Sequence, residues 1–335
     1  MIEYPPATDL VKQNPDNFPE GKRVWLIGCK GMLGTELSRL FEKESLSFTG
    51  TDREIDITSP AALASFAGQE AAAGRPIGWI VNCAAYTAVD KAEDDVEFCR
   101  RLNVDGAANI ALAARNIGAR LVHFSTDYVF DGRGVREAAS GGEPRPYRED
   151  DATGPVGVYG LTKRDGENAV VKNNPQSYII RTAWLYGLYG NNFVATMLRL
   201  MNERDEIKVV NDQRGSPTWA FDLAGLTVEI IRADLQNRPL AYGIYHYTNE
   251  GNITWYDFAR QIYDTGRGLG LVTKDCAVKP CTSAEFPARV TRPAYSVLDK
   301  TKIKAALGIA IPSWDMSLGQ YLEALVKERG LGERT

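Results

Sequence analysis

Apolar positions in the first half of the chain follow two alternating patterns. Short continuous runs at Arg23-Val24-Trp25-Leu26-Ile27, Leu46 to Thr51, Ile77 to Asn82 and Ala119 to Ser125 predict strands buried on both faces. Between them, apolar residues recur at helical spacing. Met32, Leu33, Leu37, Leu40 and Phe41 share one face. Ala61 to Ala73 follows Ser59 as N-cap and Pro60 at the first helical position, and Val96 to Asn116 predicts a longer helix. This alternation predicts an α/β fold, a Rossmann-like doubly wound parallel sheet with helices on both faces and right-handed crossovers.

The rhythm breaks from Asp131 to Pro155, where Gly, Pro, Arg and acidic residues predict a long surface loop, a flap over a site. A helix with Tyr159 and Lys163 comes next, then a strand from Ser177 to Thr182 continuing to Trp184. Beyond it the alternation loosens. Helices are expected at Asn192 to Glu203, Phe221 to Ala233, from a Thr254 cap through Thr265, near Lys300 to Leu307 and at Leu318 to Glu328. Short strands are expected at Ile207 to Val210 and Gly243 to Tyr247, and a loop around Pro280, Pro287 and Pro293. The expected organisation is an N-terminal arm (1–20), a mainly cofactor-binding domain (21–190) and a smaller, mainly substrate-binding lobe (191–335). That lobe should close over the carboxyl edge of the sheet and interleave with its last strands.

Composition narrows the function classes. The net charge of −4 over 335 residues creates no field that would gather nucleic acid or an anionic membrane. No apolar run approaches the roughly 20 residues that span a bilayer. The first 20 residues hold acidic residues and prolines without an apolar stretch, which predicts an extended arm rather than a signal. Five cysteines, an odd number with no Cys-x-x-Cys, argue against a disulfide framework or zinc site and for a reducing cytoplasm. The two histidines, His123 and His246, lie in separate apolar runs and are expected to be structural.

Candidate chemistry starts at Gly28-Cys29-Lys30-Gly31-Met32-Leu33-Gly34, a Gly-x-x-Gly-x-x-Gly turn between strand and helix. Such glycines let backbone approach a pyrophosphate, and the helix N-terminus offers free N–H groups to it. Asp52, at the end of the second strand, suits the adenosine ribose hydroxyls and so NADH. Arg53 beside it suits a 2′-phosphate and so NADPH, and the pair leaves both cofactors open. Asp56 and Ile57 are placed to flank the adenine, with a loop role for Asp56 equally open. Tyr159 and Lys163 are four residues apart and share a helix face. A nearby ammonium lowers a phenol's pKa from near 10, and the same lysine can bond a nicotinamide ribose. Thr126, at a strand's carboxyl end, is placed to orient a carbonyl.

Several longer stretches carry a resemblance: Asn82 to Glu93, Ser125-Thr126-Asp127-Tyr128-Val129-Phe130-Asp131-Gly132, Tyr159 to Lys163, Arg181 to Gly187, Asn211 to Thr218, and Arg292-Pro293. Taken in this order, the chain resembles the extended short-chain dehydrogenase/reductases, and among them the dTDP-4-dehydrorhamnose reductase family. The resemblance implies hydride delivery to C4 of dTDP-4-dehydro-L-rhamnose, with Tyr159 as proton donor and Thr126 polarising the ketone. It places Cys83, Ala84, Ala85 and Tyr86 against the cofactor, and Asp127, Tyr128 and Trp184 around the sugar. Thr87, Asn192, Gln213, Thr218 and Arg292 would line the nucleotide-sugar channel, Arg292 pairing with the diphosphate. It also implies a magnesium ion between two subunits of a homodimer, at Glu36, Asp205 and Glu206. Two alternatives stand beside the reductase. One is a 4,6-dehydratase or 4-epimerase, although Tyr128 occupies the position where dehydratases place a Glu. The other is a non-catalytic binding subunit similar to the regulatory subunit of methionine adenosyltransferase.

Overall fold

A computed structural model describes residues 21–136, 143–286 and 288–330. The expected N-terminal arm, the middle of the 131–155 loop and Pro287 lie outside these residues. The strands are β1 (Arg23–Ile27), β2 (Phe48–Thr51), β3 (Ile77–Asn82), β4 (Arg120–Thr126), β5 (Ser177–Thr182), β6 (Glu206–Val210), β7 (Gly243–His246) and β8 (Ala277–Cys281), besides two-residue pairings. Six of them form one parallel sheet in the order β7-β5-β4-β3-β1-β2. The chain winds to one side of β1 to place β2, then crosses to the other for β3. The carboxyl ends of β1 and β3 therefore flank a topological switch point, where such sheets open a crevice for ligands.

Alternate side chains along β1 explain the layers. Val24 and Leu26 enter a core with Leu37 and Phe41 of helix α1 (Met32–Lys43). Trp25 and Ile27 enter the opposite core with Leu63 and Ala67 of α2 (Pro60–Ala72), whose N-cap Ser59 accepts from Ala62 N at 3.2 Å. Helix α3 completes that layer. It runs as Val96–Arg100, a π-helical turn at Arg101–Gly106, then Ala107–Asn116, and packs on α4 (Val158–Asn173). Helix α5 spans Phe193–Glu203, and α6 (Ala220–Leu235) covers α1 on the first face.

A third core joins α5, α7 (Trp255–Gly268) and α9 (Trp314–Glu328) over β6 and β8. Helix α8 (Thr301–Leu307) adds Ile303 to the first core. The loop expected around Pro280 contains β8, which pairs in parallel with β6 alone. A two-stranded sheet has free edges, so Pro280 sits there without losing a ladder bond. The last helix starts four residues earlier than the apolar pattern indicates, at Trp314. In the 131–155 loop, Tyr147 is buried and Arg145 forks onto Asp151 at 2.7 and 2.8 Å. Tyr147 also takes a 2.9 Å backbone bond to Val297.

Candidate active site

The crevice begins where β1 becomes the glycine turn. Gly28 has φ +79°, and a Cβ there would lie 2.8 Å from Ala84 N; a Cβ on Gly34 would lie 2.0 Å from the Gly28 carbonyl oxygen. The turn is thus drawn against the β3 loop, and α1 starts on top of it. Gly31 N-caps α1 without any side-chain acceptor, which leaves the first amides of the helix, at Met32, Leu33 and Gly34, without a side-chain cap, an arrangement suited to an anion. Asp52 Oδ2 accepts from Lys30 N at 3.2 Å. Lys30 Nζ lies 3.5 Å from Glu54, and Arg53 is exposed beside them. Asp56 turns its Oδ1 to Thr58 N and Oγ1 at 2.9 and 2.8 Å, bonds that hold its carboxyl below the usual range. Ile57 is buried in the core.

The facing wall is Cys83-Ala84-Ala85-Tyr86, where burial pushes the Cys83 thiol up. Ala84 N donates to Asn82 Oδ1 at 3.0 Å, and Asn82 in turn holds His123 at 3.0 Å. Asn103, inside the π-helical turn, brackets Tyr86 through its N–H at 2.8 Å and its carbonyl at 3.1 Å. Its amide also reaches Thr162 Oγ1 at 3.2 Å, so one buried side chain ties the wall to the helix of Tyr159. Sequence reasoning missed Asn103, because the helix also carries Asn109, Asn116 and several charged residues, and nothing local singles Asn103 out. Thr87 is exposed at the rim.

Thr126 ends β4, donates to Asp127 Oδ1 at 2.9 Å and accepts from Tyr128 N at 3.3 Å. A Cβ on Gly160 would lie 2.2 Å from the Tyr128 carbonyl oxygen, so α4 rests directly on this segment. Tyr159 stands edge-on to Tyr128, with ring centres 5.5 Å apart. Burial raises the Tyr159 phenol, and the Thr126 hydroxyl draws it partly back. Lys163 is buried and lowered to about 8, again by burial. Its Nζ donates to the Phe124 carbonyl at 2.7 Å. The expected lowering of the phenol by Lys163 is not seen: burial sets the shift, and the ammonium is turned to the Phe124 carbonyl. The result is a phenol that holds its proton at neutral pH.

Asp127 is buried and raised to about 6 by burial, against the hydroxyls of Thr126 and Ser296. Its Oδ2 lacks a well-formed hydrogen bond. The Tyr128 hydroxyl accepts from Arg292 Nη1 at 3.3 Å, and Arg292 also pairs with Asp90. Trp184 has φ +49° and stacks on Trp255, ring centres 3.6 Å apart and 11° from parallel. The remaining candidates hold the walls. Asn192 caps α5 at Ala195 N (3.0 Å), Gln213 donates to Ser283 at 2.8 Å, and Thr218 donates to the Ala183 carbonyl at 2.7 Å. Trp255, Ser296 and Asp90 lie far along the chain from the groups they touch and were not foreseen.

The carboxylates expected to bind magnesium are not gathered within the chain. Glu36 is buried in α1 and raised to about 7 by burial, with Arg39 opposing. Asp205 pairs with Lys274 at 2.8 Å and Glu206 with Lys279 at 2.5 Å, which neutralises both. Among the described residues no group of three or more His, Cys, Asp or Glu could hold a metal. No helix of the described residues is long and apolar enough to cross a membrane.

The family described as RmlD substrate binding domain matches residues 22–327. The chain is 43% identical over 315 residues to the dTDP-4-dehydrorhamnose reductase of Streptomyces griseus, covering 93% of this chain and 97% of that one. It is 40% identical over 303 residues to a probable dTDP-4,6-dihydroxy-2-methyloxan-3-one 4-ketoreductase of Streptomyces antibioticus, covering 88% of this chain and 92% of the relative. The fold superposes with a TM-score of 0.79 on the Bacillus anthracis dTDP-4-dehydrorhamnose reductase solved in complex with NADP. That structure is 35% identical, and the match covers 90% of this chain and 99% of it.

Proposed function

The chain belongs to the dTDP-4-dehydrorhamnose reductase family, and we infer that it reduces the C4 ketone of a nucleotide-linked 6-deoxy-4-ketohexose, dTDP-4-dehydro-L-rhamnose to dTDP-L-rhamnose. The observation that carries this reading is Thr126, Tyr159 and Lys163 set together at the end of β4, beside the switch point lined by the glycine turn. A bound nicotinamide cofactor supplies the hydride. The glycine turn, whose space a Cβ would fill, and the free amides of α1 suit its pyrophosphate. Asp52 already accepts one bond, while Lys30 and Arg53 offer exposed positive charge. That balance favours NADPH, with NADH also accepted.

Thr126 turns its one hydroxyl proton from Asp127 Oδ1 to the ketone oxygen. As the hydride and its electron pair reach C4, the carbonyl π pair moves to oxygen, which takes the Tyr159 proton. Lys163 holds positive charge beside the phenolate left behind, until solvent returns the proton. Trp184, backed by Trp255, offers an apolar face to a 6-deoxysugar. Arg292 exchanges part of its contact with Asp90 for the diphosphate. Residues 21–190 mainly serve the cofactor in this reading and 191–335 mainly the substrate, in a cytoplasmic homodimer with no nucleic acid or membrane partner.

Tyr128, bonded to Arg292, stands where water elimination needs an acid, which favours reduction over dehydration. The likeness to a second 4-ketoreductase favours one other substrate class, a related dTDP-linked ketosugar. Replacing Tyr159 by Phe tests the site. Turnover should fall by roughly 10² or more while cofactor affinity stays within a few-fold. A near-normal rate in that variant sinks the reading.

A further inference from the structure

One turn beyond Lys163, α4 carries a buried acid that the reduction itself does not use. Glu167 and Arg181 of β5 are each only 3% exposed. They meet through two bonds, Nε to Oε1 at 2.9 Å and Nη2 to Oε2 at 2.7 Å. Glu167 Oε1 also accepts the hydroxyl of Ser125, the residue before Thr126. One residue earlier again, the Phe124 carbonyl accepts Lys163 Nζ at 2.7 Å. Two consecutive residues of β4 are therefore stitched to two consecutive turns of α4, immediately below the Thr126–Tyr159 pair. Arg181 is braced in turn. Its guanidinium lies over the Phe130 ring at 5.0 Å, and Nη1 lies 3.4 Å from both His246 Nε2 and the Glu149 carbonyl.

Burying two charges costs desolvation, and packed apolar residues of the same volume are often as stabilising. A bidentate, fully enclosed pair under a reaction site therefore points to a role beyond stability. We propose that the Glu167–Arg181 pair is a positioning device for the reduction, which keeps Lys163 cationic and keeps Thr126 in register with Tyr159. The proposal rests on the reductase reading and extends it.

The groups facing Lys163 make the electrostatics definite. Glu167 and Tyr159 lie on its own helix, Cys99 faces it from α3, and His123 faces it from β4. Burial holds the Cys99 thiol and Tyr159 phenol protonated and His123 and His246 neutral. The acid facing Lys163 is thus Glu167, and Arg181 is its ion-pair partner. Removing the carboxylate leaves two cations without an anion, and Lys163 sheds its proton at lower pH. Removing the guanidinium leaves the carboxylate to Lys163 alone, which then keeps its proton to higher pH.

The test compares Glu167→Gln, Arg181→Met and the double variant with the natural chain. Turnover of the nucleotide 4-ketosugar is followed against pH at saturating NADPH. The alkaline limb should move down by about one pH unit in Glu167→Gln, up by a similar amount in Arg181→Met, and lie between them in the double variant. Arg181→Lys, which keeps the charge and loses the fork, should leave the limb in place and lower kcat. Limbs that stay put in both single variants overturn the proposal, since a merely structural pair lowers the rate at every pH. If the charge variants fail to fold, Ser125→Ala, which strands no charge, should lower kcat about tenfold with little change in KM; an unchanged kcat overturns the proposal too. Lys163 titration, followed by NMR on protein with 13C-labelled lysine, needs no substrate. It separates failure of this pair from failure of the reductase reading, and the same opposite shifts must appear there.

Discussion

Asp127 carries the clearest cost near Tyr159. Its carboxyl is raised from 3.8 to about 6, because burial penalises the charged form. The folded state therefore holds this proton more tightly than the unfolded chain. Stability falls as pH rises through the window from 3.8 to about 6, and the full penalty applies above it. A shift of this size corresponds to about 2–3 kcal/mol. Asp127→Asn should accordingly raise the unfolding midpoint by a few degrees at pH 7.5 and by almost nothing at pH 4, with activity reduced. An equal gain at both pH values would contradict this account. Lys163 supplies a second residue-scale expectation. Its ammonium, lowered to about 8, should place an alkaline limb near that pH in the activity profile, and a limb at pH 10 would show that Lys163 is not enclosed as described. The placement of Tyr159, Lys163 and Thr126 was legible because each lies within a local motif. The ion pairs of Asp205 and Glu206 were not legible, because their partners, Lys274 and Lys279, come from about 70 residues further along the chain.

Among the elements, α4 depends on glycine for its closeness to the Thr126 segment. Gly160→Ala would place a methyl 2.2 Å from the Tyr128 carbonyl oxygen, and backbone cannot swing aside as a side chain can. The helix must shift, and Tyr159 with it. We expect kcat to drop by roughly 10–10²-fold, since an ångström of misplacement can cost that much. A folded Gly160→Ala enzyme with natural kcat would show that the contact does not set the geometry. The strands were readable because a parallel sheet covered on both faces writes continuous apolar runs. The π-helical turn at Arg101–Gly106 left no such trace. Its reason is tertiary, the bracket from Asn103 to Tyr86 and Thr162. Strand β8 was hidden by Pro280, which punctuates a sequence as a loop but is tolerated at a sheet edge.

For the molecule as a whole, the sheet order puts candidate cofactor contacts on both sides of the switch point, the glycine turn and Asp52 after β1 and β2 and Cys83 to Tyr86 after β3, and later segments reach the same carboxyl edge. Arg292 is the clearest of these crossings. It reaches Asp90 after β3 and Tyr128 after β4, so three distant parts of the chain meet at one carboxyl edge. Arg292→Ala should raise KM for the nucleotide sugar by roughly 10–10²-fold with kcat nearly kept, because it removes binding rather than chemistry. A lost kcat at unchanged KM would place Arg292 in the chemical step instead. The central claim is that the chain is a working ketoreductase, and it is tested most directly with the purified protein, NADPH and dTDP-4-dehydro-L-rhamnose. NADPH should be oxidised one for one with dTDP-L-rhamnose formed. Cofactor that binds and is never oxidised, on this substrate or on any related nucleotide 4-ketosugar, would contradict it.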